Sequence, residues 1–132
     1  MFNLDLKDKV ILITGGSDGL GYASAELLSS EGAKVIICGR RGDYLNEKAK
    51  TISENTNNNV LAIQADVSKA EDCKRLVEET ISKFKKIDIL VNNAGASAAA
   101  LFEDVSDKNW EDDINLKLMS TIRMCRLVIP YM

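Results

Sequence analysis

Short apolar segments alternate with longer amphipathic segments along most of this chain. The apolar segments span residues 10–14, 34–38, 60–65 and 87–92, and turn-forming residues flank each of them, as expected for β-strands. Their nearly continuous apolar character is typical of strands that are covered on both faces, as in a parallel sheet. The longer segments between them have the apolar periodicity of helices.

The amphipathic segments predict helices at residues 20–31, about 44–54, from 68 onward and about 106–128. The third helix should begin with a capping box at residues 68–71. One apolar stripe of that helix contains Cys73, Leu76, Val77, Ile81 and Phe84. Because crossovers between parallel strands are right-handed, the order βαβαβαβ predicts an α/β fold with a doubly wound parallel sheet.

The composition is that of one ordinary globular domain. The chain has 132 residues, 45% of them hydrophobic, and a net charge of −3, so it lacks the basic face that would favour nucleic acid as a partner. Three cysteines and no histidine indicate a reducing compartment, no metal site and no Ser-His or Cys-His nucleophile. No signal peptide or membrane span is apparent in the sequence, and we expect a cytoplasmic protein.

The stretch TGGSDGLG, residues 14–21, lies between the first strand and the first helix. Glycines allow a backbone to approach a bulky anion, and a helix N-terminus presents unpaired N–H groups, so the stretch favours a diphosphate site. A Walker A loop is excluded because Tyr22 and Ala23 follow Gly21, where that loop needs Lys and Ser or Thr. A tight turn without a ligand and the S-adenosylmethionine turn of a methyltransferase remain as alternatives.

Three motifs at the carboxyl ends of three strands carry a resemblance to a known family. Thr14-Gly15-x-x-x-Gly19-x-Gly21 resembles the cofactor fingerprint of the short-chain dehydrogenase/reductase family. Asp66-Val67 and the stretch NNAG at residues 92–95 are similar to two further motifs of that family. The resemblance covers about residues 6–132. It implies that residues 1–132 are the dinucleotide-binding portion of a single Rossmann domain, truncated after about four strands, with the C-terminal catalytic portion absent.

The resemblance also implies where a dinucleotide would bind. Gly15, Ser17, Asp18, Gly19, Leu20 and Gly21 would surround the pyrophosphate, Asp66 and Val67 would meet the adenine, and Asn93, Ala94 and Gly95 would line the adenosine ribose and the floor of the site. Ligands of open α/β sheets do lie at the carboxyl ends of the strands. For Asp66 a role as a helix-capping turn residue stays open, as does turn chemistry alone for residues 92 and 93.

The end of the second strand favours NADP over the alternative, NAD. NAD-binding folds place an acidic side chain there to bind the ribose hydroxyls. This chain has Cys38 instead, followed by Gly39, Arg40 and Arg41, and an arginine at position 40 resembles the NADP-preferring pattern of the family. Asp18 opposes this interpretation, because an anion in the glycine turn would repel a 2′-phosphate.

The family's catalytic residues are a serine and a tyrosine with a lysine four residues later, and they follow the helix that here ends at Pro130. Tyr44 and Lys48 have the required spacing, but they lie on the adenine side, so we interpret them as part of a solvated helix face. The family's helical asparagine corresponds to Lys117, counted from Trp110 and Pro130, which makes Lys117 a weak catalytic candidate.

Two functions follow from the resemblance. The first is an oxidoreductase that transfers hydride between NADP(H) and a carbonyl or alcohol substrate, with this chain inactive alone. The alternative is a non-catalytic dinucleotide-binding module, or a subunit completed by another chain. The substrate and the direction of reaction are not encoded in these residues.

The last helix and the fourth strand predict self-association. Residues 114–132 are apolar on more than one face, although a helix that covers a sheet needs only one apolar stripe. In relatives the fourth strand has a neighbour on each side, so its edge would be free here. The corresponding helix of relatives joins a dimer interface, and we expect a homo-oligomer.

Overall fold

The computed structural model describes residues 3–132, so the first two residues of the predicted 1–132 domain lie outside the described residues. Strands and helices alternate as predicted. The strands are β1 (Val10–Thr14), β2 (Lys34–Gly39), β3 (Leu61–Gln64) and β4 (Ile89–Val91). The helices are α1 (Gly19–Ser30), α2 (Gly42–Thr56), α3 (Ala70–Phe84), α4 (Asp107–Ile114) and α5 (Ser120–Val128).

The four strands form one sheet in the order β3-β2-β1-β4, and every pairing is parallel. Every residue of β1 is buried, because β1 has a strand on each side and helices on both faces. This arrangement confirms the predicted doubly wound parallel sheet. Among the described residues β4 pairs with β1 alone, so its other edge is free.

Side chains that alternate along the strands form two apolar clusters, one on each face of the sheet. Ile11 and Ile13 of β1 point into the cluster that α1 and α2 cover. Val10 and Leu12 point into the cluster that α3 and α5 cover, which includes Met124 of α5. Both faces of the sheet are therefore packed, and its open crevice lies at the ends of the strands.

The capping box predicted for residues 68–71 is wrong. The N-cap of α3 is Lys69, and no side chain caps that helix. The Ser68 hydroxyl instead donates to Asp66 Oδ1 at 2.6 Å. Ser68 lies one residue before the N-cap, and its side chain stabilises the preceding turn at Asp66 instead of the helix.

The predicted helix at about 106–128 is continuous but not uniform. A π-helical segment, Asn115–Met119, separates α4 from α5. Beside this segment the hydroxyls of Ser120 and Thr121 donate to the carbonyl oxygens of Leu116 and Lys117, a pattern that bends helices. A short 3-10 turn, Ile129–Tyr131, follows α5.

Candidate functional site

A cleft of about 390 Å³ opens at the carboxyl ends of the strands, beside the start of α1. Of the residues predicted to contact a cofactor, all line this cleft except Gly21. They are Gly15, Ser17, Asp18, Gly19, Leu20, Arg40, Asp66, Val67, Asn93, Ala94 and Gly95. Residues from four separate stretches of the chain thus meet in one place, as in other open α/β sheets.

Sequence reasoning missed some of the lining residues. Cys38, Gly39, Arg41, Ala65 and Leu116 also line the cleft. The first four lie within two residues of predicted residues at the ends of β2 and β3, and this closeness in sequence is the signal that could have identified them. Leu116 lies in the π-helical segment and reaches the cleft from a distant part of the chain, a contact that no local sequence pattern indicates.

The glycine turn brings its backbone against the loop that follows β4. Gly15 has a φ of +66°, and a Cβ at this position would lie 2.9 Å from Ala94 Cα. Helix α1 begins at Gly19, and its N-cap, Asp18, makes no side-chain capping bond. The N–H groups of the first helical turn are therefore left for another acceptor, and an anion fits that place.

Gly21 lies beneath the turn rather than in the cleft. A Cβ on this residue would overlap the Gly15 carbonyl oxygen and the Asn93 side-chain nitrogen. The third glycine of the fingerprint thus serves close packing of α1 against the turn and the β4 loop, one of the roles expected of a glycine in such a motif.

Thr14 and Asn93 hold the turn and the β4 loop together. The Thr14 hydroxyl accepts hydrogen bonds from the backbone N–H groups of Asn93 and Ala94, each at 3.0 Å. The Asn93 amide donates to the carbonyl oxygens of Thr14 at 3.1 Å and Gly15 at 2.9 Å. The Asn93 side chain is therefore engaged with the protein backbone, and it supports the site by fixing the turn.

We expect Thr14→Val to lower the free energy of unfolding by about 1–3 kcal/mol, because it leaves two backbone N–H groups without their acceptor. Thr14 is only 2% exposed, so water replaces the hydroxyl poorly. Urea denaturation measures the change. Thr14→Ser keeps the hydroxyl and is the matched control, and equal stability of the valine variant and the wild type would contradict this account of the turn.

The turn after β3 is fixed by carboxylates. Asp66 Oδ1 accepts from the backbone N–H and the hydroxyl of Ser68, while the Asp66 N–H donates to Asp72 Oδ2 at 2.7 Å. That backbone bond, with the nearby Arg75 guanidinium, holds the pKa of Asp72 below its ordinary value. Asp66 thus has the turn role that the sequence left open, and its contact with adenine stays a prediction.

The end of β2 presents a neutral buried thiol and two cations. Burial raises the pKa of Cys38 to about 12, so the thiol carries no charge at neutral pH. The Arg40 side chain is exposed and makes no hydrogen bond or ion pair with any of residues 3–132. Arg41 Nη2, in contrast, lies 2.8 Å from Asp18 Oδ2.

Tyr44 is not simply part of a solvated helix face. Its hydroxyl donates to Asp18 Oδ1 at 2.5 Å, and its side chain is half-buried. The sequence interpretation missed this contact because residues 18 and 44 are far apart in the chain. Tyr44 therefore lies at the glycine turn, on the side of the cleft where Arg41 also lies.

Lys117 does not line the cleft. It lies in the π-helical segment, and its Nζ is 2.7 Å from Asp113 Oδ1, one helical turn earlier. Asp113 lines a second, smaller cavity of about 270 Å³ with Trp110 and Phe102. A catalytic role for Lys117 remains a prediction.

Residues 3–132 contain no group of three or more cysteine, aspartate or glutamate side chains arranged to hold a metal ion. None of the helices in this described part combines the length and apolar character that crossing a membrane requires.

The fold and the cleft define an α/β protein of the Rossmann type. The chain belongs to the short-chain dehydrogenase family, because the model of that family, described as short chain dehydrogenase, matches residues 9–132. The match covers all four strands and every residue that lines the main cleft.

Relatives of known name or structure agree with this assignment. The chain is 34% identical over 133 residues to 11-beta-hydroxysteroid dehydrogenase A of Sesamum indicum, covering 100% of this chain and 38% of that protein. L-Sorbose reductase of Gluconobacter frateurii, solved with NADPH and L-sorbose, superposes with a TM-score of 0.96 at 34% identity, covering 99% and 50% of the two chains. NADH-dependent reductase A1-R', solved with NAD, has a TM-score of 0.89 at 32% identity, covering 99% and 54%. The chain thus spans about half the length of these relatives, or less.

Proposed function

We propose that this chain is the dinucleotide-binding portion of an oxidoreductase that transfers hydride between NADP(H) and a carbonyl or alcohol substrate. The observation that carries the proposal is the cleft itself, where the uncapped start of α1, the β3 turn and the β4 loop meet. The uncapped helix start supplies N–H donors for a pyrophosphate. The solved relatives named above were crystallised with NADPH or with NAD, which supports a nicotinamide dinucleotide as the ligand.

NADP is the proposed cofactor and NAD the alternative. Arg40 lies at the rim of the cleft with no side-chain hydrogen bond or ion pair to any described residue, and the neighbouring Cys38 is neutral, so the end of β2 favours a 2′-phosphate. Arginine and phosphate form a charge-assisted and often bidentate pair, which a neutral donor reproduces poorly. The 2′-phosphate of NADP would give Arg40 its partner.

We expect Arg40→Ala to weaken NADPH binding by about 10- to 100-fold, the loss of one charge-assisted contact, and NADH binding far less. Isothermal titration calorimetry of each cofactor gives both affinities. Arg126→Ala is the control, because Arg126 is an exposed arginine of α5 that does not line the cleft. Equal losses for the two cofactors would refute the assignment of Arg40 to the 2′-phosphate.

Catalysis is proposed for the longer protein, not for these residues alone. Family catalysis needs a serine and a Tyr-x-x-x-Lys that follow the segment corresponding to α5, so a chain of residues 1–132 should bind cofactor weakly and show no turnover. The coding sequence beyond Met132 tests this directly. A strand with a serine followed by Tyr-x-x-x-Lys supports the reductase, whereas an immediate stop codon supports the alternative of a dinucleotide-binding module or a subunit completed by another chain.

The proposed partners are the dinucleotide, a small carbonyl or alcohol substrate of the longer protein, and a second copy of this chain. The apolar residues exposed along α4 and α5 and the free edge of β4 support self-association. We further propose a cytoplasmic location and no role for nucleic acid or membranes, in keeping with the net charge of −3 and the unpaired cysteines.

A further inference from the structure

The carboxylate of Asp18 is held by two side chains from the start of α2. Arg41 Nη2 lies 2.8 Å from one carboxylate oxygen, and the Tyr44 hydroxyl donates to the other at 2.5 Å. Both oxygens of Asp18 therefore have a partner, and one partner is a cation. These three residues are called the Asp18 cluster below.

The aromatic ring of Tyr44 also lies close to two cationic side chains, those of Arg41 and Lys48. The Arg41 guanidinium lies over this ring, 4.1 Å from its centroid, and Lys48 Nζ lies 5.1 Å from the same centroid. A cation over a tyrosine ring is attracted by the ring's quadrupole, which favours the observed positions of both side chains. Arg41 is thus engaged by Asp18 on one side and by the ring of Tyr44 on another.

The two neighbouring arginines of the cleft differ in whether an acidic side chain of the described residues pairs with them. Arg41 is paired with Asp18, whereas Arg40 makes no hydrogen bond or ion pair with the described residues. Both line the same cleft as Asp18. An unpaired Asp18 would oppose any dianionic group beside Arg40, and its pairing with Arg41 removes most of that opposition.

We propose that Arg41 and Tyr44 are positioning residues that hold the Asp18 carboxylate and cancel its charge, so that the cleft accepts a 2′-phosphorylated dinucleotide in spite of Asp18. This inference rests on the proposed function, and it assigns cofactor preference to a tyrosine and an arginine that act through a third residue. It also explains how the glycine turn can contain an acidic residue, Asp18, although Arg40 at the end of β2 favours NADP.

The test is a set of double-mutant cycles on the binding of NADPH and NADH, measured by isothermal titration calorimetry at about 50 mM salt, where screening is weak. We expect Arg41→Gln to weaken NADPH binding about fivefold. The substitution leaves the Asp18 carboxylate without its ion pair, so that this carboxylate repels the doubly charged 2′-phosphate through the intervening water. Tyr44→Phe should weaken it about twofold, because it removes one hydrogen bond to the Asp18 carboxylate and leaves the ion pair with Arg41. NADH affinity should change less than about twofold in both variants, because NADH has no 2′-phosphate.

The decisive comparison repeats both substitutions in an Asp18→Asn background. If Arg41 and Tyr44 act through the Asp18 charge, neither substitution weakens NADPH binding there. If Arg41→Gln costs the same factor in both backgrounds, Arg41 contacts the phosphate itself and the proposal is overturned. Absence of any effect in the wild-type background also overturns it, and none of these outcomes depends on catalytic activity.

Matched controls separate the Asp18 cluster from general effects of charge and aromatic hydroxyls. Tyr22→Phe removes a hydroxyl from a neighbouring tyrosine whose ring also faces Lys48, and Lys50→Gln breaks an exposed ion pair with Glu54 on the same helix as Tyr44. Both should leave the NADPH to NADH affinity ratio unchanged. Failure of the wild-type chain to bind either cofactor would overturn the proposed function, whereas normal NADPH binding that is indifferent to Arg41 and Tyr44 would overturn this inference alone.

Discussion

Gly21→Ala is expected to lower the free energy of unfolding by about 2 kcal/mol or more and to abolish measurable cofactor binding. The added methyl group would overlap the Gly15 carbonyl oxygen and the Asn93 amide nitrogen. Neither atom can retreat freely, because Asn93 is bonded to the carbonyl oxygens of Thr14 and Gly15. Relief of the overlap must therefore displace the whole glycine turn, which forms one wall of the cleft.

Urea denaturation and calorimetric titration with NADPH measure the two effects of Gly21→Ala. Gly19→Ala is the control for stability, because a Cβ at Gly19 meets no atom within 4 Å and adds only the strain of a φ of +54°, about 1 kcal/mol. The alanine variant at position 21 should thus be the less stable one, although alanine is the better helix former. A Gly21→Ala protein as stable as the wild type would show that α1 can move away from the turn.

The sheet and the cleft were predictable because they depend on local patterns. Residues 10–13 are all apolar, Thr14 follows them and Gly15 ends the run, so the predicted β1 has the observed bounds. Predicted β4 was too long, at residues 87–92 instead of Ile89–Val91, although Ile87 is fully buried. A residue belongs to a strand only when its backbone pairs with a neighbouring strand, and burial such as that of Ile87 is not sufficient. The apolar pattern of a sequence indicates which residues are buried, but not which backbone groups pair.

Contacts between residues that are distant in sequence were not predictable in the same way. The bond between Tyr44 and Asp18 joins positions 26 residues apart, and no periodicity reports it. The same is true of Arg123 in α5, which donates to the Ser68 carbonyl oxygen and ties the last helix to the β3 turn. Both contacts depend on how crossovers place one loop above another, and that placement follows from the assembled sheet.

A double variant, Leu118→Glu with Ile122→Glu, is expected to prevent the proposed self-association and leave a monomer. The exposed face of α4 and α5 has an apolar stripe of Trp110, Ile114, Leu118, Ile122 and Ile129, at intervals of four residues and then seven. Leu118 is 55% exposed and Ile122 is 38% exposed, although both are large aliphatic side chains. A continuous stripe of this kind is typical of an interaction surface, and a second copy of the chain presents the matching stripe.

The expected effect is large because each substitution acts twice in a symmetric dimer. A dimer through this stripe would bury Leu118 and Ile122, so charged glutamates at both positions of both copies should weaken it by about 1000-fold or more. Multi-angle light scattering at micromolar concentration gives the mass of each variant. Leu27→Glu is the matched control, since Leu27 is a 62% exposed leucine of α1, on the opposite face of the sheet. A wild-type monomer would refute self-association, and a double variant that still associates would exclude the stripe as the interface and leave the free edge of β4 as the surface that pairs.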